Sequence, residues 1–392
     1  MARSLYGLCV RKVNVVRQVC LQCSRSAPHQ KLYCQETYCP AEQAPLVLDQ
    51  GEWLGDIEVI RLLVVLPSSV VYVARQQQQQ VLLKIAHPRR EHNERLKREA
   101  KFLAKYSNHS DQVFLPKLLP PYVGSNLSQF QYGHLMHGDQ MLYFCLFAYF
   151  EGESLSSVLA QQPQPWINHV GWITLGLTST LAYLQSRQML HLALSPEAVL
   201  VRFEEAKKLN VPVMQLIDLG LATDPQHFNE HWYPEVVAPA YTAPELIGNR
   251  AVFDFSTEVY GIGLILYELL MGKPRFPFQL RSASAIYHDV RTAPPLQQIE
   301  RQDLGPIRDI ALKAIHPSPT QRYEVVIHLL EHLKSIFKEV PSVKPPPQRT
   351  YSLLFVAIVL LLTLAFLIAV IATIEQSMAL VMMPGLLSFA GF

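Results

Sequence analysis

Residues 190–201 read LHLALSPEAVLV, and residues 216–222 read LIDLGLA. The first is an apolar stretch turned by Ser195 and Pro196, with one histidine, His191, and one acid, Glu197; the second carries one acid, Asp218. Stretches so poor in charge offer little acid or base chemistry by themselves. The segments around them decide what they are.

The chain has 392 residues, of which 49% are hydrophobic and 17% charged, enough to bury a globular core. A net charge of +2 gives no global field directed at nucleic acid, so no specific nucleic-acid partner is expected. Charge is unevenly spread: Arg3, Arg11, Lys12, Arg17, Arg25 and Lys31 all precede the first acid, Glu36. This basic head reads as a solvated surface ahead of a contact with anionic lipid.

From Trp53 to Ala86, the β-branched runs IEVIRLLVVL, VVYVA and VLLKIA read as three strands, with Gln76 to Gln80 as a polar hairpin tip. Glu91 to Tyr106 places apolar residues at helical spacing among charges and reads as an amphipathic helix. MLYFCLFAYF is a buried strand, and from Trp166 onward helical periodicity dominates. Strands first and helices after predict an α+β fold of two lobes.

Residues 351–374, YSLLFVAIVLLLTLAFLIAVIATI, are 24 residues without a charge, enough for a hydrocarbon core that takes about 20. They are expected to form one transmembrane helix after a Pro-rich spacer, 339–350. Lys334, Lys338, Lys344 and Arg349 precede this span and no base follows it, so the large N-terminal part is expected on the cytoplasmic side of the cell membrane. The apolar tail, 375–392, is too short to span again and is expected at the far interface. MARSLYGLCVRKVNVV carries charges where a signal peptide needs an apolar core.

A cytoplasmic setting bears on the cysteines. Cys20, Cys23, Cys34 and Cys39 form two short Cys turns whose thiolates are expected to hold one structural zinc, with four unrelated thiols as the alternative and His29 as a substitute ligand. Such an ion folds a stretch too small for its own core, giving a zinc-ribbon-like head over 1–45. Cys9 and Cys145 read as packing residues.

At these residues the chain resembles the protein kinase family, above all its membrane-anchored bacterial-type serine/threonine branch. KIA at Lys84 resembles the strand-lysine motif, and KREAKFLAKY places Glu99 as its helix αC partner. FAYFEGESL is similar to the hinge, with Phe147 as gatekeeper and Ala148 beside it. HLALSPEAVLV stands where the family has H-R-D-L-K-P-E-N, and the DLG at Asp218 where it has D-F-G. YTAPE ends in Glu245, STEVYGIGLILYELLMG is similar to helix αF, and PSPTQRY supplies Arg322, the family partner of Glu245. The resemblance implies a kinase-like N-lobe over 53–150 and C-lobe over 151–338, between the zinc-ribbon-like head and the membrane helix.

The same register implies lost chemistry. The acid that accepts the substrate proton falls on Ala193, the lysine that steadies the γ-phosphate on Ser195, and the asparagine that ligates a second magnesium on Ala198. The three phosphate-loop glycines fall on Val64, Leu66 and Ser69, and Pro67 removes a further N–H. Lys84, Glu99, Ala148 and Asp218 remain for a nucleotide, with Asp218 as the one magnesium ligand, so weak binding of ATP and magnesium stands beside a purely structural ion pair. Glu258, one methylene longer than the family's aspartate, is expected to loosen the backbone contacts made there. His191 reads as a core histidine. The expectation is a pseudokinase that binds a signalling protein or an active kinase; an active serine/threonine kinase with Glu197 or Asp254 in the missing roles is the alternative. Between Thr223 and Tyr241 the only hydroxyls are Thr223, Tyr233 and Tyr241, which gives little for phosphorylation control.

Overall fold

The computed structural model describes residues 17–20, 26–28, 46–106, 114–123, 130–206, 209–219, 237–247, 253–301 and 304–337. They belong to one compact unit, Met1–Val340, and the second unit, Pro341–Phe392, lies outside them together with the expected spacer, membrane helix and tail. Among the described residues no helix is long and apolar enough to cross a membrane. Cys23, Cys34 and Cys39 also lie outside. Cys20 is buried, and among the described residues no cluster of His, Cys, Asp and Glu is placed to hold a metal.

Three short strands, β1 (Arg17–Val19), β2 (Ser26–Pro28) and β3 (Leu46–Val47), form a sheet in the order β2-β1-β3. The next sheet is the N-lobe: β4 (Trp53–Leu54), β5 (Ile57–Leu66), β6 (Ser69–Gln76), β7 (Gln79–Ala86), β8 (Leu118–Leu119), β9 (Gly133–His137) and β10 (Gln140–Ala148). Its order is β4-β5-β6-β7-β10-β8, with β9 on β10. Hairpin β6–β7 turns on Gln77 and Gln78 alone, both left-handed at φ 46° and 66°, the geometry of a two-residue hairpin turn. The other three glutamines pair within the strands, so the tip is shorter than the glutamine run suggests. Breaks in the β5 register around Arg61 and Leu62 are bulges that increase the local twist.

Helix α1 (Arg90–Tyr106) lies against one face of this sheet. Its buried residues are His92, Arg95, Leu96, Glu99, Ala100, Phe102 and Leu103; all but Phe102 follow the three- and four-residue spacing of one stripe. The other sheet face packs with the end of the head: Val47 and Leu48 join Leu54, Tyr72 and Phe144 in a second core, and the Tyr72 hydroxyl accepts from Leu48 N at 2.7 Å.

The C-lobe opens with the strand pair β11 (Glu153–Ser154) and β12 (Val199–Ala206), extended by β13 (Leu209–Leu216). Helices α2 (Leu155–Gln161), α3 (Ile167–Ser186), α4 (Phe255–Met271), α5 (Ala283–Thr292), α6 (Ile307–Ala314) and α7 (Val326–Phe337) complete it. Helix α4 is apolar around most of its circumference and is therefore buried at the centre. A Cβ on Gly263 would come within 2.8 Å of the Ala314 methyl, so glycine permits the close approach of α4 to α6; Gly272 ends α4 in the left-handed conformation at φ 71°.

Candidate functional site

Strand β7 brings Lys84 inward, α1 brings Arg95 and Glu99, and the segment after β13 brings Asp218. All four are almost fully buried and form one neutral quartet. The Lys84 ammonium donates to Glu99 Oε2, to Asp218 Oδ1 at 2.8 Å and to the Ile217 carbonyl at 3.2 Å. Those three acceptors match the three donors of an ammonium group. Arg95 Nη2 donates to Asp218 Oδ2 at 2.8 Å, so each Asp218 oxygen faces a cation. Glu99 Oε1 accepts from Leu219 N at 3.3 Å.

Burial by itself would raise the Asp218 carboxyl, but Arg95 and Lys84 outweigh it and hold the group well below the usual carboxylate range. Burial would lower Lys84, and Asp218 and Glu99 reverse that and raise it. Burial pushes Glu99 up against the pull of Lys84. Two cations and two carboxylates thus compensate one another where water is excluded, the condition under which buried charge is tolerated.

Leu66, Leu82, Phe147, Leu200 and Ile217 are each at most 1% exposed, and they share one core that runs from the upper sheet into the lower lobe. Phe147 stands opposite Leu82 across β10 and β7. Strand β5 continues through Leu66, whose carbonyl lies 2.9 Å from His87 Nε2, while His87 N donates to Ser68 O at 3.0 Å. Burial lowers the His87 pKa to about 3, which keeps the ring neutral in this role. The Ala148 N–H donates to Lys117 O at 2.9 Å.

The turn at 190–201 packs as core. Ala193, Ser195 and Ala198 are buried, and Ala198 O accepts from Ile217 N at 2.9 Å. His191 is fully buried, its pKa lowered to about 4 by burial, and its Nδ1 lies 3.3 Å from Ala193 N. Leu192 is left-handed at φ 59°, and Glu258 Oε1 accepts from its N–H at 2.5 Å. The extra methylene therefore has not loosened this contact, contrary to expectation. Its cost falls elsewhere: Glu258 Oε2 is buried with no hydrogen-bond partner among the described residues, and burial pushes the carboxyl up to about 7.

Arg322 grips Glu245 with both terminal nitrogens, Nη1 to Oε1 at 2.6 Å and Nη2 to Oε2 at 2.9 Å, and its guanidinium stacks over Tyr260 at 4.5 Å. Asp254 caps α4, accepting from Ser256 N at 2.8 Å, and Glu197 is half-buried near Tyr241 and Glu268. Neither carboxylate joins the quartet. The Tyr241 hydroxyl donates to Glu268 Oε2, while Thr223 and Tyr233 lie outside the described residues.

The family described as the protein kinase domain matches residues 67–335. This chain belongs to the protein kinase family. It is 28% identical over 169 residues to serine/threonine-protein kinase ULK3 of Xenopus laevis, covering 42% of this chain and 34% of that protein. Against human ULK3 it is 31% identical over 152 residues, 37% and 29% of the two chains. Against Pkn1 of Myxococcus xanthus it is 28% identical over 159 residues, 38% and 22%. The matched stretch thus spans about a third or less of these relatives. The kinase domain of PknI from Mycobacterium tuberculosis aligns over 74% of this chain and 98% of its own at 17% identity, with a TM-score of 0.48.

Protein kinases generally use ATP and magnesium, and the residues that would hold that pair are here hydrogen-bonded to one another. Asp218, expected as a possible magnesium ligand, has one oxygen facing Lys84 and the other facing Arg95. Lys84 likewise makes three hydrogen bonds within the protein. The family's V-A-I-K strand has Ala two residues before its lysine, whereas the larger, fully buried Leu82 stands there. Nothing in the motifs points to Arg95. Its signal is spacing, because residues four apart share a helix face and Arg95 sits four before Glu99.

Proposed function

We propose that this chain is a pseudokinase: a kinase-fold protein that works by binding a signalling protein or an active kinase, without transferring phosphate. One observation carries the reading. Every donor of Lys84 and both oxygens of Asp218 are satisfied within the protein. The absent carboxylate at Ala193 supports it, since loss of a positioned general base alone costs roughly 10² to 10⁴ in rate. The rival reading is an active serine/threonine kinase, favoured by the retained Lys84–Glu99 pair. Incubation of the purified full chain with radiolabelled ATP, magnesium and generic protein acceptors separates the two. No incorporation above background is expected; incorporation that disappears in Lys84→Ala or Asp218→Ala would sink the pseudokinase reading.

The hydrophobic run at 351–374 supports single-pass anchoring in the cell membrane with the kinase fold on the cytoplasmic side, so the chain should stay with membranes through alkaline carbonate washes. Recovery in the wash would argue against an anchor. The spacing of Cys20, Cys23, Cys34 and Cys39 supports a structural zinc, tested by elemental analysis at about one zinc per chain.

A further inference from the structure

Helix α3 carries no charged side chain over its 20 residues, INHVGWITLGLTSTLAYLQS, although one face of it is only half-buried. On that face His169, Trp172, Leu175, Ser179 and Ala182 recur every three or four positions, so they form one outward stripe. A surface helix ordinarily sets charged and polar residues on that side. At its N-terminal end the stripe widens into an aromatic cluster. The Trp166 ring centroid lies 5.2 Å from that of His169 and 5.9 Å from that of Trp172, and Phe203 of β12 lies 5.2 Å from His169.

The course of the chain points to what covers this face. Helix α7 packs along α3, and its last residue, Phe337, sits on Gly171, where any Cβ would strike the ring; Gly171 adjoins Trp172. From Phe337 the sequence runs through 338–350 into the charge-free run at 351–374. An extended chain of that tether's length reaches at most about 50 Å. The composition agrees with a lipid surface. Trp and His rings combine an apolar body with a polar edge, the combination that the headgroup region of a bilayer accommodates. A second copy of this chain is the rival occupant, but the stripe offers no permanent charge and one hydroxyl, Ser179, to fix a register for it.

We propose that the outward face of α3 lies in the headgroup region of the bilayer that anchors this chain, with Trp166, His169 and Trp172 at the contact. The proposal rests on the single-pass anchoring put forward above and adds which face of the C-lobe meets the lipid. Because α3 brings no charge, burial of apolar area holds the contact, and added salt leaves it in place.

The test is tryptophan fluorescence of the full chain reconstituted in vesicles of phosphatidylcholine and phosphatidylglycerol, with acyl chains brominated near the headgroup end or left without bromine. Residues 338–392 contain no tryptophan, so quenching by bromine reports on the rest of the chain alone. The parent should be quenched equally at low and high salt, a measurement that needs no substitution. With Trp232→Phe throughout, a chain keeping Trp166 and Trp172 should be quenched severalfold more than one keeping Trp53, which is 57% exposed on β4 of the N-lobe. Trp172→Glu should reduce the quenching of Trp166 severalfold and leave flotation with the vesicles unchanged. An unquenched parent, quenching lost in high salt, quenching indifferent to Trp172→Glu, or Trp53 quenched as strongly as the α3 pair would each overturn the proposal. Emission that changes instead with dilution of the chain in the vesicles would assign the face to a second copy and overturn it too. A chain that does not float with the vesicles removes the anchoring reading together with this one, whereas a floating chain with unquenched tryptophans removes this one alone.

Discussion

Arg95 Nη2 stands 2.8 Å from Asp218 Oδ2, and both groups are almost fully buried. A permanently charged guanidinium thus pairs with the carboxylate that in the family would help to hold a metal. The fold carries its own counter-ion. Removing one partner of a buried pair leaves the other uncompensated, at a cost of about 3–5 kcal/mol. Arg95→Met should therefore lose stability of that order in denaturant unfolding, and adding Asp218→Asn to it should recover part of the loss. A loss below about 1 kcal/mol would mean that the contact contributes little.

Leu82 has a second consequence. Leu82→Ala deletes buried apolar volume and should cost about 2–5 kcal/mol by thermal or denaturant unfolding. The variant should still fail to bind nucleotide, because Lys84 and Asp218 remain engaged. Nucleotide binding gained by this single change would place the whole block in the leucine side chain.

Burial pushes Glu258 up to about 7, so the folded chain holds this proton more tightly than the unfolded chain does. Its contribution to stability is complete below about pH 4.5 and is lost as pH rises through about 7. Glu268, also raised to about 7 by burial, behaves the same way. His87, His92 and His191 act in the opposite sense: burial lowers them to about 3, 4 and 4, so their contribution is present above about pH 6.5 and lost as pH falls toward those values. Stability should be greatest close to pH 6.5. Glu258→Gln isolates one group: relative to the parent it should gain on the order of 3 kcal/mol between pH 4.5 and 7 and nothing further above. A difference that does not vary with pH would contradict the assignment.

Tyr72 joins the end of the head to the N-lobe through Leu48 N. Tyr72→Phe leaves a buried N–H without its acceptor and should cost about 1–3 kcal/mol, with faster hydrogen exchange at Leu48. Unchanged exchange there would argue that the bond is not maintained in solution.

The two lobes were legible in the sequence because period-two and period-3.6 apolar patterns follow from which faces are buried. Lys84, Glu99 and Asp218 were legible as motif positions, and Glu245 with Arg322 as a pair. What the motifs could not convey was how these groups spend their hydrogen bonds. Helix α1 carries Arg90, Arg95, Lys97, Arg98, Lys101 and Lys105, and composition does not say which of them turns inward; only the position relative to Glu99 does. The seating of Leu48 on Tyr72 joins residues 24 apart through one backbone N–H, which leaves no periodic trace. The Glu258 contact depended on a reach of one methylene that only the surrounding backbone fixes.

The most direct test of the internally engaged Lys84 and Asp218 is the melting temperature of the full chain with and without millimolar ATP and magnesium. A ligand present at a hundred times its Kd adds about 2.7 kcal/mol to stability, so even modest affinity would register. The account predicts superimposable melting curves. A saturable rise in melting temperature that disappears in Lys84→Ala or Asp218→Ala would contradict it.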